Sequence, residues 1–268
     1  MEQKIILITG ASSGFGKATA TYLAAQGHVV YGTSRKAQLV DSVHMLIMDV
    51  TNRTSVAAAV AAIMHNHGRI DVLINNAGIG IGGAVELATP EEIAIQMDTN
   101  FGGVVHVCSA VLPIMRAQRQ GLIVNLSSIG GVFGIPYQGF YSASKFAVEG
   151  YSEALSLEVA QFGIKVVLVE PGDFNTEFTS SRSISTLTRD DAVYQASFNR
   201  VLKHVERDEQ NGAKPIYLAK KIAKIVASKH PKFRYVVTPD VIQKFSVLLS
   251  KVMYERHFQW LLRKFYDV

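Results

Sequence analysis

The sequence predicts an α/β fold: a single-domain, doubly wound, parallel seven-stranded sheet with helices on both faces. Three observations predict it. Short β-branched or apolar runs alternate with longer helical patterns. The runs are apolar at nearly every position, as strands covered on both faces are. No repeat, low-complexity tract or linker divides the 268 residues, 48% of them hydrophobic, a length and composition that suit one α/β domain.

The expected strands are KIILIT (4–9), HVVYGT (28–33), HMLIMD (44–49), DVLINN (71–76), GLIVNLS (121–127), IKVVLVE (164–170) and RYVV (234–237). Between them lie the helical patterns GKATATYLAAQ, VAAAVAAIMHNH, the long run EEIAIQMDTNFGGVVHVCSAVLPIMRA, and GYSEALSLEVAQF. Strand–helix–strand units of this kind cross over right-handedly and stack helices on both sheet faces. After Pro171 the chain is polar and rich in Ser and Thr (DFNTEFTSSRSISTLTRDD), and residues 173–215 are expected to form a substrate-side flap.

The C-terminal stretch 240–268 extends well beyond the sheet. Phe245, Leu248, Leu249 and Val252 recur at helical spacing, as do Phe258, Leu261, Leu262 and Phe265, so two amphipathic helices are expected with a break near Arg256–His257. Such helices can cap a pocket, pack on another subunit or lie on a membrane surface, and Trp260, Arg263 and Lys264 keep a peripheral membrane contact open.

Charge excludes little. The excess of +5, from 27 basic and 22 acidic side chains, is interleaved with acids and apolar positions in the last third, which reads as solvated helix faces and not a nucleic-acid surface. The one cysteine, Cys108, lies in an apolar stretch and is expected in the core. No secretory leader and no run of roughly 20 apolar residues is visible, so the expected setting is cytoplasmic. His65 and His67 sit near a helix C-terminus, where imidazoles are favourable, and no third ligand falls at metal spacing.

The first strand ends in TGASSGFG, with Gly10, Gly14 and Gly16 leading into a helix. Glycines here permit a tight turn and let backbone N–H groups approach a pyrophosphate at a helix N-terminus. The spacing is G-x-x-x-G-x-G, so Ser12, Ser13 and Phe15 also belong to the loop. The second strand then separates two cofactors. An NAD site carries an acid about 20 residues beyond the glycines, whereas Ser34, Arg35 and Lys36 stand here. A guanidinium binds a 2′-phosphate that a carboxylate would repel, so NADP(H) is expected. Tyr141 and Lys145 are one helical turn apart and share a face.

Together TGASSGFG (9–16), NNAG (75–78), Asn100, the pair Ser127–Ser128, YSASK (141–145) and PGDFNT (171–176) resemble the short-chain dehydrogenase/reductase family over roughly residues 4–178. The resemblance implies a Rossmann-type sheet and hydride transfer between a nicotinamide and a carbonyl or alcohol. It implies Tyr141 as general acid/base, Lys145 as the cation that favours its phenolate and binds the nicotinamide ribose, Ser128 as the group holding the substrate oxygen, and Asn100 as the anchor of a relay water. It also implies Asp49 and Val50 beside the adenine, Asn76, Ala77 and Gly78 along the cofactor, Pro171 and Gly172 redirecting the chain, and Thr176 at the carboxamide. Related enzymes form homodimers or homotetramers.

Phe133, Ile135, Tyr137, Phe174 and Phe178 are the expected substrate contacts. They are apolar or aromatic, and no cation stands near the first three, so a lipophilic ketone, aldehyde or alcohol fits better than a small anion. The tail and RYVVTPD are similar to the branch containing 17β-hydroxysteroid and retinol dehydrogenases. A 3-oxoacyl thioester reductase and a non-catalytic NADP-binding regulator are the alternatives.

Overall fold

Each of the seven apolar runs forms a strand of one parallel sheet in the computed structural model, which describes residues 2–268. In chain order come β1 (Ile5–Ile8), α1 (Gly14–Ala25), β2 (Val29–Ser34), β3 (His44–Ile47), α2 (Arg53–His67), β4 (Val72–Asn75), the two-residue β5 (Ile81–Gly82), α3 (Pro90–Met97), α4 (Gly103–Gln118), β6 (Gly121–Leu126), α5 (Gly139–Val159) and β7 (Ile164–Pro171). Beyond β7 follow α6 (Glu177–Ser181), β8 (Ser183–Ile184), α7 (Thr186–Asp190), α8 (Gln195–Gln210), α9 (Pro215–Ala227), β9 (Arg234–Val237), α10 (Val241–Val252) and α11 (Glu255–Tyr266).

The sheet order is β3-β2-β1-β4-β6-β7-β9, so the chain reverses direction across the sheet between β1 and β4. That reversal opens a crevice at the carboxyl ends of the strands, the usual ligand position in such sheets. The period-2 pleat divides the core. Leu7, Leu73 and Ile123 face the side covered by α2, α4 and α5, with Ile63, Val107 and Val148 packed among them. Ile6, Ile8, Ile74 and Val124 face the other side, against Leu23 of α1 and Leu218 and Ile222 of α9. Each strand must therefore be apolar on both faces, which is what the sequence shows.

Local signals set the helix ends. Asn52 caps α2 by accepting from the Ser55 N–H, and Gly68 closes it in the left-handed region at φ 66°. Thr89 and Glu92 form a reciprocal capping box on α3, with Pro90 at the first helical position. At the sheet edge, Arg234 of β9 pairs with Glu149 at 3.0 Å and with the fully buried Glu170 at 3.2 Å. Cys108 is fully buried, accepts from Asn75 Nδ2 at 3.3 Å, and burial pushes its thiol up to about 12.

Two expectations need correction. The long helical run 91–117 is not one helix: α3 and α4 are separated by a π turn over Asp98–Gly102. At the junction Gly103 packs closely, since a Cβ there would come within 2.6 Å of Val50 Cγ2. In the tail, the break falls at Met253–Tyr254 and not at Arg256–His257. Met253 turns extended at φ −83°, ψ 151°, because it and Phe258 pack into one cluster with Ile129, Phe133 and Val247.

Candidate active site

The crevice continues into a cleft of about 1450 Å³ that holds the glycine loop at one end and the tail helices at the other. Gly10 and Gly14 are left-handed at φ 65° and 49°. A Cβ on Gly10 would approach Ala77 Cα to 2.9 Å, so only glycine fits there. The Gly14 N–H donates to Glu177 Oε2 at 3.0 Å, which shows that the loop at the start of α1 accepts an anionic oxygen. Gly16 is a correction: it does not border the cleft but is buried, where a Cβ would sit 2.1 Å from the Gly10 carbonyl oxygen. Its role is to let α1 approach the end of β1.

Ser12, Ser13, Phe15, Ser34, Arg35, Asp49, Val50, Asn76, Ala77, Gly78, Pro171, Gly172 and Thr176 all border the cleft. Arg35 is exposed at its rim, while the buried Ser34 hydroxyl donates to the Lys36 carbonyl. Asp49 is committed locally, since its Oδ1 accepts from the Thr51 N–H at 2.9 Å and the Thr51 hydroxyl at 2.8 Å. Asn76 ties the loop to β1: its Nδ2 donates to the Thr9 and Gly10 carbonyls at 2.9 Å each. Thr9 Oγ1 in turn accepts from the Asn76 and Ala77 N–H groups at 3.0 and 2.9 Å. A left-handed glycine turn, an anion-accepting helix start and a cation at the end of β2 fit a dinucleotide.

At the centre of the cleft stand Ser128, Tyr141 and Lys145. Ser128 starts a short 3₁₀ turn and its Oγ accepts from the Gly130 N–H at 3.0 Å. A Cβ on Gly130 would lie 3.4 Å from Tyr141 Cε1 and 3.5 Å from Ser128 Oγ, so that glycine keeps the space between the two open. Ser127 Oγ, by contrast, is buried without a partner beneath Gly131. Both serines border the cleft.

The expected electrostatics need correction. Burial pushes the Tyr141 phenol up, and the strongest opposing influence within the protein is its hydrogen bond with Ser128, not the charge on Lys145. Lys145 lies on the same helical face, with Nζ 5.8 Å from the ring centroid, but it donates to the Leu126 carbonyl at 2.9 Å. Burial lowers the Lys145 ammonium to about 8, and Glu149 acts the other way.

Asn100 lies in the π turn, buried and outside the cleft lining. Its Oδ1 accepts from the Ile79 N–H at 2.9 Å, and Nδ2 donates to the Ile79 carbonyl at 3.0 Å and to Ser144 Oγ at 3.1 Å. Its side chain therefore joins the loop after β4 to the helix of Tyr141, and leaves only the main chain for a relay.

Phe133, Ile135, Phe174 and Phe178 border the cleft, with the Phe178 ring centroid 5.8 Å from that of Tyr141. Tyr137 does not. Held at φ 58°, it sets its ring edge-on to Phe198 at 5.4 Å and packs behind Ile135, Leu262 and Tyr266, which do line the cleft. Sequence reasoning missed three carboxylates on the cleft wall, Asp173, Asp208 and Glu209, and the buried Tyr266 beside them. Residues separated by a flap and a tail carry no common sequence period, so only the Asp173 position, inside PGDFNT, offered a signal.

The chain matches the short chain dehydrogenase family over residues 4–186. It is 59% identical over its whole length to 3-ketodihydrosphingosine reductase of Bacteroides thetaiotaomicron, covering 100% of both chains. A short-chain dehydrogenase from Streptomyces avermitilis superposes with a TM-score of 0.82 at 31% identity, over 98% of this chain and 99% of that one. A short chain dehydrogenase/reductase from Burkholderia phymatum, solved with NAD, superposes with a TM-score of 0.78 at 26% identity, over 98% and 95%. The chain belongs to the short-chain dehydrogenase/reductase family and is an oxidoreductase acting on a keto or alcohol group.

Proposed function

We propose that this chain is an NADP(H)-dependent reductase of a long-chain 2-amino-3-ketone, the chemical class to which 3-ketodihydrosphingosine belongs. One observation carries the reading: the cleft runs without interruption from Ser128 and Tyr141 to an apolar wall formed by Phe133, Leu249, Phe258 and Leu262. An alkyl chain can lie along that wall while its carbonyl meets the hydroxyl pair. The full-length likeness to 3-ketodihydrosphingosine reductase supports the substrate class.

The glycine loop, Asn76–Gly78 and Thr176 would hold the dinucleotide, with Arg35 on the 2′-phosphate. Bound there, the nicotinamide supplies the hydride. Ser128 holds the carbonyl oxygen and Tyr141 donates its proton to that oxygen. Lys145, buried and cationic below about pH 8, supplies positive charge near that proton transfer. Residues 173–215 serve as the flap and 240–268 as the lid over the alkyl chain.

The outer faces support two further contacts. Phe146 and Leu157 of α5 are exposed, which favours pairing of copies through that helix into a homodimer or homotetramer. Among the described residues no helix is long and apolar enough to cross a membrane. Leu248, Val252 and Trp260 are exposed on α10 and α11 among Lys244, Lys251, Arg263 and Lys264, which supports peripheral contact with an anionic membrane from the cytoplasmic side.

A thioester reductase has no need of a 29-residue lid, and a pure regulator no need of the intact Ser128–Tyr141–Lys145 set. The test is to follow NADPH absorbance against a panel of long-chain amino ketones, plain long-chain ketones, steroids, retinoids and acyl thioesters. Highest kcat/KM for the long-chain amino ketone is expected; a steroid or thioester turned over faster refutes the assignment.

A further inference from the structure

The cleft carries three carboxylates beyond the cofactor end, which an apolar substrate alone does not explain. Asp173 follows Gly172 at the end of β7, and Asp208 and Glu209 come from the last turn of α8; all three border the cleft. Two of them are already matched. Glu209 pairs with the buried Arg182 and accepts from the Thr179 hydroxyl at 2.7 Å. Asp208 pairs with Arg207 at 2.9 Å and with His204 at 3.1 Å. Asp173 has no cationic partner: its Oδ2 accepts from Gln243 Nε2 and no described side chain reaches its other oxygen.

A second side chain marks the same place. Tyr266 of α11 is only 8% exposed and borders the cleft, yet no described residue hydrogen-bonds to its hydroxyl. It lies within the electrostatic reach of Asp173, Asp208 and Glu209. Asp173 and Glu209 likewise act on the Tyr141 hydroxyl. An unmatched carboxylate and an unpartnered phenol therefore border the same cleft as Tyr141, and Glu209 is joined to that site through Arg182, which stands 5.7 Å over the Phe178 ring, itself 5.8 Å from the Tyr141 ring. In a 2-amino-3-ketone the ammonium is on the carbon next to the carbonyl, so its recognition group must stand within a few ångströms of Tyr141.

We infer that Asp173 is the specificity-determining residue that receives the substrate ammonium, with Tyr266 accepting a second N–H. The inference rests on the amino-ketone reading above and names how this chain would tell such a substrate from a plain ketone of equal length. Protonation of Asp173, whose carboxyl burial and the neighbouring acids raise to about 7, would weaken the subsite.

The experiment compares a long-chain 2-amino-3-ketone with the same ketone lacking the amine. For Asp173→Asn, the ratio of their kcat/KM values is expected to fall by at least about 10-fold, the scale of a lost charge-assisted hydrogen bond, with the loss carried by KM. An unchanged ratio overturns the inference. Because that variant disturbs the Gln243 contact, the wild-type enzyme gives an independent arm: octadecylamine is expected to inhibit competitively at concentrations at least about 10-fold lower than octadecanol. Equal inhibition overturns the subsite but leaves a long-chain ketone reductase standing. A wild-type enzyme that reduces neither ketone overturns the proposed function as well.

Discussion

Lys145 donates its hydrogen bond to the Leu126 carbonyl at 2.9 Å, although Tyr141 lies one turn away on the same face with its ring centroid 5.8 Å from Nζ. The ammonium is thus fixed to the end of β6, on the border of the cleft. Tyr141→Phe should lower turnover by at least about 10²-fold, the scale of a lost general acid/base, while Tm and NADPH binding stay near wild type. Stopped-flow turnover beside fluorescence titration of NADPH checks this; normal turnover would remove Tyr141 from the mechanism.

Arg35 is exposed at the cleft rim at the end of β2. Arg35→Ala should weaken NADPH binding by at least about 10-fold and leave NADH binding within a factor of about two. Kd values for both cofactors, measured on both proteins, decide the matter. Tighter NADH binding by the wild type would contradict the assignment.

The stability of the protein should carry the signature of Asp173. Its carboxyl is raised from an ordinary value near 3.8 to about 7 by burial first, then by Glu209, Asp208 and Asp240, with Gln243 opposing. The folded state therefore holds this proton where the unfolded chain has lost it. The contribution is fully present below about pH 4 and is lost as pH rises through about 7. Asp173→Asn should raise Tm relative to wild type at pH 8, by about 2 °C or more, and by less at pH 5. A constant difference across that range would place the shift elsewhere.

Phe258 anchors the tail: it is buried, and its ring meets Phe133 edge-on at a centroid distance of 5.4 Å. Phe258→Ala should cost about 3 kcal/mol locally and free α11 before the sheet unfolds. Limited proteolysis is expected to cut near Met253–Tyr254 in the variant and not in the wild type, and KM for a long-chain ketone should rise more than for a short one. Identical cleavage patterns would mean that the tail is held by other contacts.

The single tryptophan of the chain, Trp260, is 57% exposed, with Lys264 Nζ 5.7 Å from its ring. Vesicles containing anionic lipid should shift its emission to shorter wavelength, and purely zwitterionic vesicles should not. The shift should shrink as salt screens the Lys and Arg charges. No shift with either vesicle would leave the outer face of α10 and α11 to subunit contact or solvent.

Much of this was legible in the sequence where one local pattern decides one feature. The seven strands announced themselves because both faces of a parallel sheet are buried, and Gly10 and Gly14 because positive φ admits few other residues. Features that depend on two distant segments were not legible. The close fit of Gly103 beside Val50 joins two such segments, and so does the packing of Tyr137 on Phe198 of α8. The phenol of Tyr141 was expected low beside a lysine, yet burial raises it, because helical spacing fixes a shared face and not the depth below the surface.

The pair of two-residue strands, β5 and β8, divides the segment beyond Pro171 mechanically. Ser183 and Ser185 donate to the carbonyls of Gly80 and Gly82 at 3.0 and 2.9 Å, clasping the chain to the loop that follows NNAG. Phe178 lies on the near side of that clasp, and a Cβ on Gly80 would stand 2.8 Å from its ring. The wall beside Tyr141 is thereby riveted to the sheet, a second rivet follows where the Ala84 N–H donates to the buried Thr188 hydroxyl at 2.9 Å, and any breathing that admits a long molecule must hinge beyond α7, in α8 and the tail resting on it.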